Sequence, residues 1–401
     1  MSDSLSGKVA IAGIGATEFS KNSGRTEMRL AVEASLAALA DAGIEPAEVD
    51  GMCTFTMDNN PEMDVHRLIG GKNMTFFSRI DYGGGGACAP VMQAAMAIAT
   101  GAANVVVCYR GMNERSWYRF GAGAGAALAQ PHTVVAASHP PFIVTNHYSW
   151  YMPAGLTSPA GYVAMAARRY MKKYGVTSTE FGQISVAARE FAATNPNAYF
   201  YGKPITLDDH QQSRFVAEPL RLLDCCQESD GAVALVIVSA ARARTLKQKP
   251  AIVRAAAQGS AQGQHRMTSF YRNDLSALPE MGLVAKQLYA QSGLRPDDIR
   301  SAILYDHFTP YVLGQLEEFG FCGRGEAKDF VRAREHARGG RLPINPNGGQ
   351  LGEAYIHGMN GIAEAVRQLR GTAVNQLGEP EHVLVTAGTG VPTSGLILGK
   401  D

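Results

Sequence analysis

Apolar runs of strand length and amphipathic stretches of helix length take turns along this chain, and one arrangement of them occurs twice. Before Gly43, the residues Ala34, Ala38 and Leu39 recur at helical spacing; before Gly293, Val284, Leu288 and Tyr289 hold the corresponding places. Each predicted helix runs into a Gly-x-x-Pro step, Gly43-Ile44-Glu45-Pro46 and Gly293-Leu294-Arg295-Pro296, and the two steps lie 250 residues apart. Glycine takes the left-handed position that ends a helix, and proline opens the turn that follows. An apolar strand comes next in both copies, Gly51–Thr56 and Ser301–Tyr305.

A second landmark keeps the same order. Asp81-Tyr82-Gly83-Gly84-Gly85-Gly86 leads into a helix over Ala87–Thr100 and a strand over Asn104–Tyr109. Asn345-Pro346-Asn347-Gly348-Gly349 leads on to a helix near Gly358–Arg370 and a strand over His382–Thr386. Strand, helix, strand, helix, strand in each half calls for parallel crossovers. The chain therefore reads as an α/β protein of two duplicated halves, residues 1–250 and 251–401, sharing one layered core. The first half carries an insertion of about 110–230, with an aromatic, proline-rich stretch (Pro140–Pro153) and two helices, Ala160–Tyr174 and Thr179–Asn195. Trp117, Trp150, Tyr118, Phe120, Phe142, Tyr148, Tyr151 and Met152 gather there. That composition suits either a dimer contact or a cover over a bulky apolar substrate.

Composition narrows the partners. The 401 residues carry 37 Lys+Arg against 36 Asp+Glu, a formal +1, so there is no global charge for holding nucleic acid or an anionic membrane. Ala87–Thr100, the most apolar later stretch, is interrupted by Gln93 and too short to span a bilayer. The N-terminus has no basic segment followed by a long apolar one, and the expectation is a soluble, cytoplasmic protein. Cys53, Cys88, Cys108, Cys225, Cys226 and Cys322 form neither a disulfide framework nor a Cys-x-x-Cys pair, so no metal site is expected.

Several motifs carry a resemblance. Asn345-Pro346-Asn347-Gly348-Gly349, the Asp224-Cys225-Cys226…Asp230-Gly231-Ala232 block, Asn195-Pro196-Asn197-Ala198, Tyr305-Asp306-His307-Phe308 and Ala387-Gly388-Thr389-Gly390 together resemble the thiolase superfamily, in its sterol-carrier-protein-type branch. The resemblance implies a five-layer αβαβα fold, a dimer and a coenzyme A thioester as substrate. It also implies where chemical groups should sit, and there the chain departs from the family. Aligned back from Gly101 and Gly111, the nucleophilic cysteine falls on Gly85; the histidine ten residues after Asn345 is Tyr355; the polar residue opening the third motif is Tyr305; the last cysteine is Ala387.

Without a nucleophile, a thioester pocket is left with non-covalent reactions, and a retro-aldol cleavage fits two tyrosines best. The resemblance is greatest to thiolase relatives that act as steroid side-chain-cleaving aldolases. It implies cleavage of a bulky β-hydroxyacyl-CoA, a 17-hydroxy C22 steroid thioester, to a 17-ketosteroid and propionyl-CoA. No covalently bound cofactor is expected, coenzyme A being part of the substrate. The expected partner is a zinc-ribbon/OB-fold protein or domain attached to an acyl-CoA hydratase. Tyr355 is the expected base and Tyr305 its acid or hydrogen-bond partner, with His307, Asp306 and His357 in support. Gly85 and Gly86, at a helix start, are the expected oxyanion or substrate-binding backbone, and Gly348 and Gly349 read as a tight turn or as a further stretch of substrate-binding backbone. Two alternatives stand beside this: a degradative thiolase using Cys88, three residues past Gly85, and a non-catalytic acyl-CoA-binding scaffold.

Overall fold

Gly43 and Gly293 end their helices in the same way. A computed structural model describes residues 5–55, 59–117, 151–265 and 269–401, and in it α1 (Glu27–Ala42) stops at Gly43 with φ 72° while its counterpart over Pro279–Ser292 stops at Gly293 with φ 73°. A single turn of 3-10 helix follows each, Pro46–Glu48 and Pro296–Asp298. The repeat legible at 250 residues is thus a repeat of backbone conformation.

Among the described residues, nine strands hydrogen-bond into one sheet. They are β1 (Val9–Ala16), β2 (Gly51–Phe55), β3 (Phe76–Ile80), β4 (Val105–Asn113), β5 (Asp230–Ser239), β6 (Ala251–Gly259), β7 (Ser301–Ile303), β8 (His382–Thr386) and β9 (Thr393–Gly399). Their order is β3-β2-β4-β5-β1-β6-β9-β8-β7. The expected succession appears in both halves: β1, α1, β2, α2 (Ala89–Ala99), β4, and then β6, the Pro279–Ser292 helix, β7, the Met359–Arg370 helix, β8. The pairs β2·β4 and β7·β8 are parallel. Each half adds an antiparallel strand that the sequence pattern did not place, β5 beside β1 and β9 beside β6. The halves join where Ala10 and Ile11 pair with Ile252 and Ala251.

Strand alternation sorts the side chains into layers. Ala10, Met52, Val107 and Val236 face α1, in a core with Ala34, Ala38 and Leu39. Ile11, Cys53, Cys108 and Leu235 face the other way, into a core shared with Val253, Val385 and Leu398 of the second half. That shared core also holds α2 and the Met359–Arg370 helix, through Val91, Ala95, Ile362 and Val366. On the far side of the second half, Ala255, Leu384 and Ile397 meet Val284 and Leu288 of the Pro279–Ser292 helix. The sequence of layers is helix, sheet, helix, sheet, helix.

The insertion contributes α3 (Pro159–Tyr174) and α4 (Ser178–Thr194), whose Val163, Ala167, Phe181 and Ile184 join the outer core of the second half. The remaining helices used below are α5 (Pro279–Ser292), α6 (Thr309–Glu318), α7 (Gly349–Gly352) and α8 (Met359–Arg370). Tyr118, Phe120, Phe142, Tyr148 and Trp150, and with them most of the aromatic stretch, lie outside the described residues. No described helix is long and apolar enough to cross a membrane.

Candidate active site

The expected strand Ser301–Tyr305 stops early, at Ile303, because side chains take over its hydrogen bonding. The Leu304 amide donates to Asn345 Oδ1 at 2.8 Å, and the Tyr305 amide donates to Thr386 Oγ1 at 2.9 Å and Gln315 Oε1 at 3.1 Å. This releases the chain from the ladder at the point where Tyr305 must turn inward. Tyr355 comes from the loop between α7 and α8, its amide donating to Ser229 Oγ at 3.1 Å. The two phenols meet in the core between the halves: Tyr305 Oη donates to Tyr355 Oη at 3.1 Å. Both are buried, and desolvation first of all pushes both hydroxyls well above the ordinary tyrosine value of about 10. Both are neutral donors at neutral pH.

Three glycines make room for the Tyr305 ring. A Cβ on Gly84 would lie 2.0 Å from Tyr305 Oη, one on Gly358 2.9 Å from Cε2, and one on Gly388 3.0 Å from Cε1. Only glycine gives a phenol that clearance. Gly85 is closed in a different way. A Cβ there would meet the Pro392 carbonyl oxygen at 2.1 Å and Val391 Cγ2 at 2.6 Å, and its own carbonyl accepts from Ser394 Oγ at 2.7 Å. The position that should hold a nucleophile has no space for one. Cys88 does not replace it: it is buried, its amide donates to Ser394 Oγ, and burial pushes its thiol up, away from the reactive thiolate.

The supporting residues separate. His307 stacks edge-on to Tyr305, ring centroids 4.8 Å apart, and His357 edge-on to Tyr355 at 4.9 Å. Burial lowers the His307 pKa to about 4, and burial together with the neighbouring Arg110 guanidinium drives that of His357 well down, so both imidazoles are neutral. Arg110, itself fully buried, donates to His357 Nδ1 at 2.7 Å; the histidine proton is therefore on Nε2. Asp306 faces away from the tyrosines. Its carboxylate accepts from the Gln350 amide at 2.8 Å and the Leu351 amide at 3.5 Å, holding the first turn of α7.

Gly348 and Gly349 belong to that same turn. The Gly348 amide donates to Asn345 O and the Gly349 amide to Asn347 Oδ1, and both φ angles are positive, 106° and 63°. A Cβ on Gly349 would strike Asp306 Oδ2 at 2.1 Å, and one on Gly348 would strike Ala192 of α4 at 2.6 Å. These glycines permit a turn, and their amides are not available to an oxyanion. The same holds for Gly86, whose amide donates to the Tyr82 carbonyl at 2.6 Å. Gly85 packs against Pro392 and Val391, next to the Gly84 that abuts Tyr305.

Residues 9–241 match the family "Thiolase, N-terminal domain" and residues 259–400 match "Thiolase C-terminal domain-like". The chain belongs to the thiolase superfamily. A protein of Mycobacterium tuberculosis named 17-hydroxy-3-oxo-4-pregnene-20-carboxyl-CoA lyase is 64% identical over 98% of this chain and 100% of its own length. A steroid side-chain-cleaving aldolase of Thermomonospora curvata is 63% identical over 99% of both. The solved structure of an Ltp2-ChsH2(DUF35) aldolase superposes with a TM-score of 0.91 at 61% identity, covering 100% of this chain and 99% of that one.

Within this thiolase fold the motif blocks have clear tasks. Asp230 accepts from the amides of Ser23, Arg115 and Ser116, each at 3.0 Å, tying down the exit of β4. Asp224 accepts from His210 Nε2 at 2.8 Å and Thr309 Oγ1 at 2.7 Å, tying the insertion to α6. Asn195 Nδ2 donates to the Asn347 carbonyl at 3.0 Å, so two of the recognised motifs touch each other. Of the basic residues on α3, Arg168 pairs with Glu218 at 2.7 Å and Lys173 with Asp274 at 2.5 Å. Arg272 is paired with Glu280 at 2.8 Å, whereas Arg266 lies outside the described residues.

Sequence reasoning missed three residues. Glu114, directly after β4, is 3% exposed and its charge acts on both phenols. Cys226 donates its amide to the His307 carbonyl at 2.8 Å, and its thiol acts on the same two phenols. Lys21 has its pKa lowered to about 8 by burial, with Glu114 and Glu228 opposing. Nothing in the sequence marked Glu114 or Lys21. No group of three or more His, Cys, Asp or Glu side chains able to hold a metal occurs among the described residues.

Proposed function

We propose that this chain is a carbon–carbon lyase that cleaves a 17-hydroxy C22 steroid coenzyme A thioester into a 17-ketosteroid and propionyl-CoA. The observation that carries the reading is the pair of buried tyrosine hydroxyls 3.1 Å apart at the two places where thiolases carry other chemistry. Its complement is the Gly85 position, too tight for any nucleophile. The names of the two relatives above 60% identity, lyase and aldolase, support the substrate class.

The chemistry follows from the pair. The substrate hydroxyl gives its proton to Tyr355 as Tyr355 passes its own proton on, so that the phenol stays neutral, while the Cα–Cβ bond breaks and its electrons form the enolate of the shorter thioester. Tyr305 protonates that enolate at Cα, and the bond between the two hydroxyls returns a proton to Tyr305. Neutral His357, with its proton on Nε2, and neutral His307 add no charge that would hold the phenols ionised. Burial of the site keeps water from the enolate, where every donor counts for more.

Substrate reaches this centre as a coenzyme A thioester, without a further cofactor. The groove along Tyr162, Arg272, Tyr311, Thr389 and Gly390 ends on the loop whose Gly388 abuts Tyr305, which suits it to the acyl-CoA chain. The assembly is a homodimer core in the cytoplasm, bound to a zinc-ribbon/OB-fold protein or domain attached to an acyl-CoA hydratase. The name of the Ltp2-ChsH2(DUF35) structure is consistent with that partner. Incubation with the thioester should release ketone and propionyl-CoA in equal amounts, with no acyl group on the protein by intact mass. An acylated protein, or no ketone, would refute the assignment.

A further inference from the structure

A relay of two neutral phenols leaves one proton unaccounted for. Between C–C cleavage and protonation of the enolate, the hydroxyl proton has to reside on some group. A phenol that accepts it becomes an oxonium unless it passes its own proton on at once. Desolvation holds both phenols in the protonated state, so neither is a standing base.

Glu114 has the placement for this task. Its Oε2 is buried and has no hydrogen-bond partner among the described residues, a condition rare for a buried carboxyl oxygen. Its other contact is an amide, that of Ser229, whose hydroxyl in turn accepts from the Tyr355 amide at 3.1 Å. One residue therefore links the carboxyl to the backbone that carries Tyr355. The turn that presents Glu114 is rigid: the Asn113 amide donates to Glu27 Oε1 at 2.8 Å, and the Arg115 and Ser116 amides donate to Asp230.

We infer that Glu114 is the proton-holding residue of this site, acting through Tyr355. The inference rests on the lyase reading above and adds one group to it. In the first step the substrate hydroxyl proton passes to Tyr355 as the Tyr355 proton passes to the Glu114 carboxylate across one bridging water, and the Cα–Cβ electron pair becomes the enolate. Next, Tyr305 gives its proton to Cα. Last, Tyr355 reprotonates Tyr305 across the 3.1 Å bond and Glu114 reprotonates Tyr355. Protons and charges balance, and every group ends as it began.

The charges facing Glu114 make its protonation state responsive. Burial and the Glu228 carboxylate push its pKa well above the ordinary carboxylate value, while the Ser229 amide, Lys21 and Arg110 oppose them. Cys226, Tyr305 and Tyr355 complete the titratable groups that it acts on. Turnover should accordingly fall as pH drops through a value above the usual carboxylate range, where Glu114 takes up its proton.

The test is Glu114→Gln in the full chain, assayed in whichever assembly makes the wild type active, alongside Tyr355→Phe. Glutamine keeps the volume and an oxygen for the Ser229 amide but cannot take a proton. The expected result is a kcat loss of about 10²-fold with KM within threefold, and disappearance of the acid limb of the kcat–pH profile. A kcat within threefold of wild type, or a loss that leaves the acid limb in place, overturns the inference. Should the Gln variant fail to fold, Glu114→Asp is expected to lower kcat and move the acid limb; an unchanged rate and profile would overturn it equally. An inactive Tyr355→Phe beside a fully active Glu114→Gln refutes this inference and leaves the lyase reading standing. A wild type that cleaves no thioester removes both.

Discussion

Gly84→Ala adds one methyl group at the tightest point of the site. Its Cβ would sit 2.0 Å from Tyr305 Oη and 2.7 Å from Cζ. Relief to ordinary van der Waals contact needs a shift of more than about 1 Å. The ring has nowhere to go, because Gly358 and Gly388 close on its other edges and its amide is held by Thr386 and Gln315. The phenol must therefore tilt, and the 3.1 Å bond to Tyr355 leaves hydrogen-bond range. Overpacking of this kind costs about 1–3 kcal/mol of stability, and a misplacement near 1 Å costs about 10²-fold in rate. Steady-state cleavage and urea unfolding would measure the two effects. Gly86→Ala is the steric control, since the nearest atom to its added Cβ is Ile80 Cγ2 at 3.3 Å and its amide is retained. A Gly84→Ala enzyme with wild-type rate and stability would refute the seating of Tyr305 between glycines.

Other perturbations discriminate further. Cys88→Ala should keep kcat within about threefold while costing on the order of 1 kcal/mol, because the thiol is a packed group; loss of turnover with folding intact would restore Cys88 as a candidate nucleophile. Gly85→Cys should not rebuild a thiolase: the Pro392 carbonyl at 2.1 Å displaces the new side chain, and intact mass should show no acyl-enzyme with an acyl-CoA donor. Glu353 accepts from Asn347 and from Asn360 Nδ2 at 2.8 Å, and burial raises its pKa to about 7. Its raised native value means that its contribution to stability is present below about pH 4.5 and is lost as pH rises through about 7. Glu353→Gln should flatten the unfolding free energy over that window and lower it by roughly 1–3 kcal/mol, since a carboxamide nitrogen would oppose amide donors; an unaltered pH slope would contradict this.

How much of this was legible before the fold was seen depends on which physical rule each residue obeys. Gly43 and Gly293 were readable because a left-handed helix end selects glycine whatever the surroundings, and the structure gives φ 72° and 73°. The layered core was readable from strand and helix spacing. Tyr305 and Tyr355 were found through collinear motifs, and they meet across 50 residues of sequence. The direction of Asp306 followed from a rule already at hand: along extended chain 305 and 307 share a face and 306 takes the other, and its carboxylate reaches α7. The clearance at Gly84 was invisible, since a run of four glycines reads as a loop and says nothing about a phenol from 221 residues away. Gly348 and Gly349 form the tight turn that their sequence suggested, and the Gly86 amide also closes a turn. Glu114 escaped notice because its burial is a property of three elements packed together.

The central claim is that a tyrosine pair, and no nucleophile, performs the cleavage. It is tested most directly by the single-turnover rate of Tyr355→Phe with the hydroxyacyl-CoA substrate, in protein whose melting curve matches wild type. Removing that one oxygen leaves the ring against His357 and deletes the acceptor 3.1 Å from Tyr305 Oη. The account predicts a loss of at least about 10²-fold in the chemical step with substrate binding preserved. A rate within threefold of wild type would contradict it.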